Sequence, residues 1–365
     1  MCVSLTSLGQ ILNNWIQGQT PTAFEWQQLA REALAVPQQA KAFGITPANV
    51  EEEIQARGNL FQVVYPEVFS LEAFSATTTN EQFKTLTLLS LWNLWLPLAL
   101  QLASLRQRLG RPLIQGILGV QGTGKTTLAA ILSLILAHLG YRTLSLSLDD
   151  LYKTYQERQR LQQQDPRLIW RGPPGTHDLE LGIELLEQLR STNGKQQYLV
   201  PRFDKSAWGG AGDRTTPDIV TDIDIVLFEG WFVGVRPINS EVFNGSVPAP
   251  IDSPADQLFA RDMNGQLKNY VPLWEKLDRL IILYPVDYRF SLQWRLQAEQ
   301  QMIATGKSGM TDSQISDFVK YFWKSLHPEL FIAPLIKNPS LVDLVIEINR
   351  DHSFGAIYQP SDLPN

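Results

Sequence analysis

Apolar positions recur at helical spacing through roughly the first 110 residues, and from Leu113 the pattern changes to short apolar runs alternating with helix-forming segments. In the first part, residues 23–35 and 51–56 have the spacing of helices, and Pro21, Pro37, Pro47 and Pro66 punctuate them. Residues 86–102 are apolar nearly all round. Asn93, Pro97 and Gln101 interrupt this stretch, and Arg106 and Arg108 follow it closely, so it reads as a helix buried in a core and not as a membrane span. In the second part, strands are expected at 113–118, 143–148, 223–228, 279–283 and 341–348, with helices between them. That alternation predicts an α/β fold: a mostly parallel sheet flanked by helices on both faces, preceded by an N-terminal helical extension. The division falls near residue 110, giving an extension over 1–110 and an α/β domain over 111–365. Residues 236–265, with several prolines and no clear period, read as an inserted surface loop.

Between the first expected strand and the helix after it lies Gly119-Val120-Gln121-Gly122-Thr123-Gly124-Lys125-Thr126-Thr127, which satisfies G-x-x-x-x-G-K-[ST] in its required strand–loop–helix context. Gly122 and Gly124 allow backbone angles that a Cβ resists, so consecutive N–H groups can turn inward around a phosphate. The helix starting near Lys125 adds its positive end. Lys125 is placed to reach the β- and γ-phosphates of a nucleotide such as ATP, and the Thr126 hydroxyl to hold Mg²⁺. The plain alternative is a glycine-rich turn with an exposed lysine.

In a parallel sheet the ligand crevice lies beyond the carboxyl ends of the strands, so the residues after each strand come under suspicion. After the second strand stand Asp149 and Asp150. Asp149 suits a base that takes a proton from an attacking hydroxyl, and Asp150 suits Mg²⁺, while either could simply cap the next helix. The Gly/Pro loop Trp170-Arg171-Gly172-Pro173-Pro174-Gly175-Thr176-His177-Asp178 makes His177 and Asp178 candidates for a substrate contact or for capping. Arg202, Lys205 and Arg214, on what reads as a glycine-rich loop, suit a carboxylate or phosphate substrate, or are solvated surface charges. The apolar run ending at Glu229 is a Walker B pattern with Glu in place of Asp, expected to orient Mg²⁺, through water. A lid is expected over about 287–312, where Arg289 and Arg295, and more weakly Lys307, are placed to stabilise charge on a transferred phosphoryl group.

Composition narrows the classes. The chain has 365 residues, 44% of them hydrophobic, which is enough for one large core or two moderate ones. A formal charge of −6 without any basic block argues against a nucleic-acid groove and leaves small anionic substrates open. Cys2 is the one cysteine, so an internal disulfide or dithiol switch and a cysteine-rich metal site are excluded. The first ten residues lack a basic segment followed by an apolar core, and cytoplasm is the expected location, with no membrane partner.

The succession Q-G-x-G-K-T-T, L-D-D-L-Y, G-T-H-D-L, P-R-F-D-K-S, G-D-R, L-F-E-G-W, N-x-x-L-K-x-Y and W-R-L-Q-A-E with G-K-x-G-M resembles the plant and cyanobacterial type of D-glycerate 3-kinase, over most of residues 85–350. More distantly it is similar to uridine kinase, phosphoribulokinase and bacterial pantothenate kinase. The resemblance implies a P-loop kinase fold and ATP-dependent, Mg²⁺-assisted phosphorylation of D-glycerate to 3-phosphoglycerate, the closing step of photorespiratory carbon salvage. It also implies that the acid matching Asp149 serves as base, that the acid matching Glu229 sits near the metal, and that arginines matching Arg289 to Arg295 close over the phosphates. Two departures stand out, Thr123 where cysteine is expected and a less typical stretch at 319–324. A nucleoside, pantothenate or ribulose 5-phosphate acceptor, or a regulatory NTP-binding protein, are the rival readings.

Overall fold

In a computed structural model, residues 7–71, 81–191, 197–304 and 309–363 are described. Cys2 and Lys307, with residues 305–308 of the expected lid, lie outside them. The strands are β1 (Leu113–Gly119), β2 (Thr143–Ser147), β3 (Gln197–Asp204), β4 (Asp213–Thr221), β5 (Ile225–Gly230), β6 (Arg279–Pro285), β7 (Leu344–Ile348) and β8 (Phe354–Tyr358). Six of them form one sheet in the order β2-β5-β1-β6-β7-β8, parallel except for β8. The strands β3 and β4 make a separate antiparallel hairpin.

Alternation along the central strands feeds two cores. Ile117, Ile225, Leu227, Ile281 and Leu283 face one, and Ile114, Leu118, Val226, Phe228 and Ile282 the other. Every residue of β1 and β5 is buried, as expected for parallel strands covered on both sides. The first core also contains Leu12, Phe61, Val64, Trp92 and Leu102 from the helices before residue 110. The N-terminal helices therefore close one face of the sheet and share its hydrophobic core.

The apolar stretch around residue 90 forms a continuous helix, Phe83–Leu109, and 67% of its most apolar window is buried. It passes through a π-helical turn, Leu91–Trp95, just before Pro97. Proline lacks the N–H that the Asn93 carbonyl would have bonded, and Gln39 Nε2 donates to that carbonyl instead, at 2.9 Å. Gly110, in the left-handed region at φ 65°, ends the helix.

Three expectations are corrected. Residues 200–214 are not a glycine-rich loop throughout: most of them belong to the β3–β4 hairpin, and the glycines 209, 210 and 212 sit at its tip. The strand β8 was not anticipated. The supposed surface loop at 236–265 contains the helix Pro254–Gln266, with Ser253 and Asp256 in a capping box and Phe259, Ala260 and Met263 buried.

Candidate active site

Parallel register brings the site together. Glu229 on β5 lies opposite Ile117 of β1 on one side and Ser147 of β2 on the other, so the segments after all three strands open onto one cleft. The cleft has a volume of about 1030 Å³, and Lys125, Thr126, Asp149, Lys205, Glu229 and Arg295 line it.

Gly122 (φ 81°) and Gly124 (φ 83°) turn the loop after β1 into the helix Lys125–His138. A Cβ on Gly122 would come within 2.7 Å of the Trp294 side chain, so the loop needs glycine there for space as well as for angle. Thr123, buried, donates its hydroxyl to the Val120 carbonyl at 2.8 Å, and Lys125 Nζ donates to the same oxygen at 3.1 Å. Burial lowers the Lys125 pKa, against the opposing pull of Glu229 and Asp149. Gln121 lines the cleft, and Gly119 packs against Thr123. Thr127 lies in the first turn of the helix.

Two neighbouring aspartates take different orientations because of one cap. Ser147 accepts the Asp149 N–H at 3.3 Å, and Asp150 accepts the Ser147 N–H at 2.9 Å, which turns Asp150 back onto the backbone and leaves Asp149 lining the cleft. Asp149 meets Lys205 Nζ at 2.6 Å and accepts a hydrogen bond from the Tyr152 hydroxyl. Burial alone would raise its pKa. The Lys205 charge and the hydrogen bonds from Lys205 and Tyr152 outweigh burial and hold the carboxyl below the usual carboxylate range.

Thr126 Oγ1 donates to Glu229 Oε1 at 3.3 Å beside Lys125. A hydroxyl and a carboxylate are hard oxygen donors of the kind Mg²⁺ takes, and that ion is normally held by one or two carboxylates plus phosphate oxygens and water. Among the described residues no group of three or more His, Cys, Asp or Glu side chains forms a cage. The donor set thus fits an ion that arrives with a polyphosphate.

The other candidates stand outside the cleft lining. Asp150 receives Arg202 at 3.0 Å, and Arg202 also bonds Asp218 at 2.7 Å and the Ser145 carbonyl at 3.1 Å, which pins the hairpin to the edge of β2. Arg214 bonds the Tyr152 carbonyl at 2.9 Å and Asp178 at 2.7 Å, and Asp178 caps the helix Leu179–Arg190. His177 is buried between Tyr152 and Tyr270, with Nδ1 2.7 Å from the Tyr270 hydroxyl. Arg289 precedes the helix Phe290–Ala304, pairs with Asp287 at 3.1 Å and lies over the Tyr288 ring. Arg295, nearly two turns further on, does reach the cleft.

Sequence reading missed Arg158 and Arg171, which line the same cleft as Asp149. Arg158 donates to the carbonyls of Lys153, Ala211 and Gly212, and Arg171 to those of Gly210 and Ala211. Both guanidinium groups lie over the Phe203 ring. The signal available was weak. The helix Tyr155–Gln164 that carries Arg158 buries no residue, and a helix polar all round borders solvent or a site.

Burial lowers the His177 pKa from 6.5 to about 3. The unfolded chain thus takes up a proton below about pH 6.5 that the folded protein refuses until about pH 3. Stability falls with decreasing pH across that window by about 1.4 kcal/mol per unit. Between pH 6.5 and pH 5 the parent should lose about 2 kcal/mol that His177→Gln does not lose, measured by urea unfolding of each protein against itself at neutral pH. Equal slopes would show that His177 is not the acid-sensitive group.

No family model matches the chain. It is 33% identical over 255 residues to the chloroplastic D-glycerate 3-kinase of Arabidopsis thaliana, a match that takes in 66% of this chain and 54% of that one, so the chain spans about half the length of that relative. It is 30% identical over 256 residues to the uncharacterized kinase mug58 of Schizosaccharomyces pombe, covering 66% of this chain and 90% of the relative. Among solved structures it is similar to a D-glycerate 3-kinase from Cryptococcus neoformans, with a TM-score of 0.65 and 30% identity over 73% of this chain and 98% of that one.

Proposed function

The chain belongs to the D-glycerate 3-kinase family of P-loop kinases, and from that premise we propose that it transfers the γ-phosphoryl group of ATP to D-glycerate, giving 3-phosphoglycerate for photorespiratory carbon salvage. The observation that carries this reading is the meeting, in one cleft, of a phosphate loop, an ionised aspartate and a cationic wall. Backbone N–H groups of the loop at 121–125, apart from that of Thr123, which bonds the Val120 carbonyl, and the Lys125 ammonium hold the β- and γ-phosphates. Thr126 and Glu229 would hold Mg²⁺, which would neutralise charge on the phosphates. Arg158, Arg171 and Lys205 take the acceptor carboxylate. Asp149 orients the acceptor hydroxyl and receives its proton as the oxygen attacks in line, and Arg295 spreads the charge of the transferred group.

The lysine paired with Asp149 has a place in this scheme. A carboxylate substrate offers Lys205 an alternative anion, and Asp149 is then left for the hydroxyl. The cleft is a small-molecule site, and we place its work in the cytoplasm as part of the same proposal.

The test is a purified-protein assay with ATP, Mg²⁺ and a panel of D-glycerate, uridine, pantothenate and ribulose 5-phosphate. Uridine turnover without glycerate turnover would overturn the substrate. Steady ATP hydrolysis that no acceptor stimulates would indicate an NTP-dependent switch. Phosphorus NMR of the product distinguishes the 3- from the 2-phosphate. Within the same assay, Arg158→Ala and Arg171→Ala should each raise KM for glycerate by about tenfold, roughly the loss of one charge-assisted contact, and leave KM for ATP within about twofold. Equal effects on both substrates would move these arginines to the nucleotide side.

A further inference from the structure

Two neighbouring motifs, W-R-L-Q-A-E at 294–299 and the Gly309-Met310 pair ten residues on, meet at one buried carboxylate. Glu299 is 2% exposed, yet nothing in the scheme above uses it. Its Oε2 pairs with Arg295 NH2 at 2.7 Å, one helical turn away, and its Oε1 accepts the Met310 N–H at 2.7 Å. Gly309 fits against this junction because it lacks a side chain: a Cβ there would come within 2.7 Å of Ile303 and 2.9 Å of Glu299 Oε1. On its other side Arg295 lies over the Phe318 ring, 6.0 Å from its centroid. The neighbouring residue, Trp294, packs on Gly122 of the phosphate loop and donates its indole N–H to the Arg350 carbonyl at 2.9 Å.

We infer that Glu299 is the positioning residue for Arg295, holding that guanidinium over the phosphate loop in the orientation phosphoryl transfer requires. The inference rests on the reading of Arg295 given above. The physical reason lies in side-chain entropy. A free arginine samples many rotamers, and ordering one costs of the order of 2 kcal/mol. A buried carboxylate on the same helix, itself fixed by a backbone N–H from the chain returning at Met310, removes most of that freedom before the nucleotide binds. The lid arginine is then organised in advance, and its position depends on where Met310 docks. Trp294 fixes the helix to the loop, and Glu299 fixes the charge on the helix.

The test is a double-mutant cycle in the full chain with ATP, Mg²⁺ and D-glycerate. Glu299→Gln retains an oxygen for the Met310 N–H but loses the charge that holds Arg295. It should lower kcat by about tenfold or more, leave KM for glycerate within about twofold, and barely move the thermal midpoint. In an Arg295→Ala background the same substitution should change kcat by less than about twofold, because the group it positions is gone. Glu299→Asp, which keeps the charge but withdraws it by one methylene, serves as the second variant should the glutamine form not fold, and is expected to lose kcat in the same manner. A Glu299→Gln enzyme with parental kcat, or effects that multiply across the cycle, would overturn the inference. Arg295→Ala with parental kcat would overturn the reading of Arg295, and the inference with it. A chain that turns over no glycerate fails the substrate reading alone, and the cycle is then read in acceptor-independent ATP hydrolysis.

Discussion

Replacing Asp149 by asparagine should lower kcat by about 10²–10⁴, the usual cost of losing a general base, while ATP binds as it does to the parent. Asparagine has the same shape, and its amide oxygen can still accept from Tyr152 and Lys205, so the fold around the 3₁₀ turn Leu148–Leu151 should persist. Lys205 loses its charge partner, but its side chain is 61% exposed and water replaces the carboxylate at little cost. What disappears is the basicity that receives the acceptor proton. The pH profile makes the claim sharper. Because Asp149 titrates below the usual carboxylate range, the parent's kcat should hold steady as pH falls through 5 and decline only as the depressed pKa is approached. The variant's residual rate should show no such acid limb. A fluorescent-nucleotide titration beside a coupled kinase assay separates the two effects, and an unchanged kcat would remove Asp149 from the mechanism.

The contrast between Asp149 and the neighbouring candidates shows what the chain reveals as a string of letters. The phosphate loop was legible because its chemistry is carried by backbone geometry that glycines at fixed offsets impose. The central strands were legible because burial on both faces forces continuous apolar runs, as in β5. The hairpin was not. Its strands are half exposed, contain Pro201 and Pro217, and pair only with each other, so neither alternation nor an apolar run marks them. Helix Pro254–Gln266 was hidden by the prolines and irregular chain before it.

For the charged residues, sequence shows a cation but not its partner. Arg202 and Arg214 read as acceptor ligands until Asp150, Asp218 and Asp178 are seen beside them. Arg158 stood in a polar helix and attracted no notice, yet it lines the cleft. Partners separated by 16, 36 and 52 positions in the chain are chosen by the tertiary fold, which no local pattern encodes.

Lys125→Met should cost about 10²–10³ in kcat, the loss typical of removing one organised charge from a transition state, and should weaken ATP binding by about tenfold as well. Methionine matches the reach of the lysine stem without its charge, and the local structure tolerates the exchange. The Val120 carbonyl that Lys125 bonds also accepts the Thr123 hydroxyl at 2.8 Å and the Thr123 N–H at 3.3 Å, so no acceptor is orphaned. Burial already penalises the ammonium, as its lowered pKa records, so an apolar replacement should leave the thermal midpoint unchanged or higher. Asp149 loses a compensating positive charge, which favours its protonation and should shift the remaining activity to higher pH. The pattern differs from that of Asp149→Asn in one decisive respect: here nucleotide affinity and turnover fall together, because the same ammonium serves the β-phosphate in the ground state and the γ-phosphoryl group in transit. A Lys125→Met protein that bound ATP as tightly as the parent would show that the backbone N–H groups alone grip the ground-state phosphates, and the whole contribution of the lysine would then lie in the transition state.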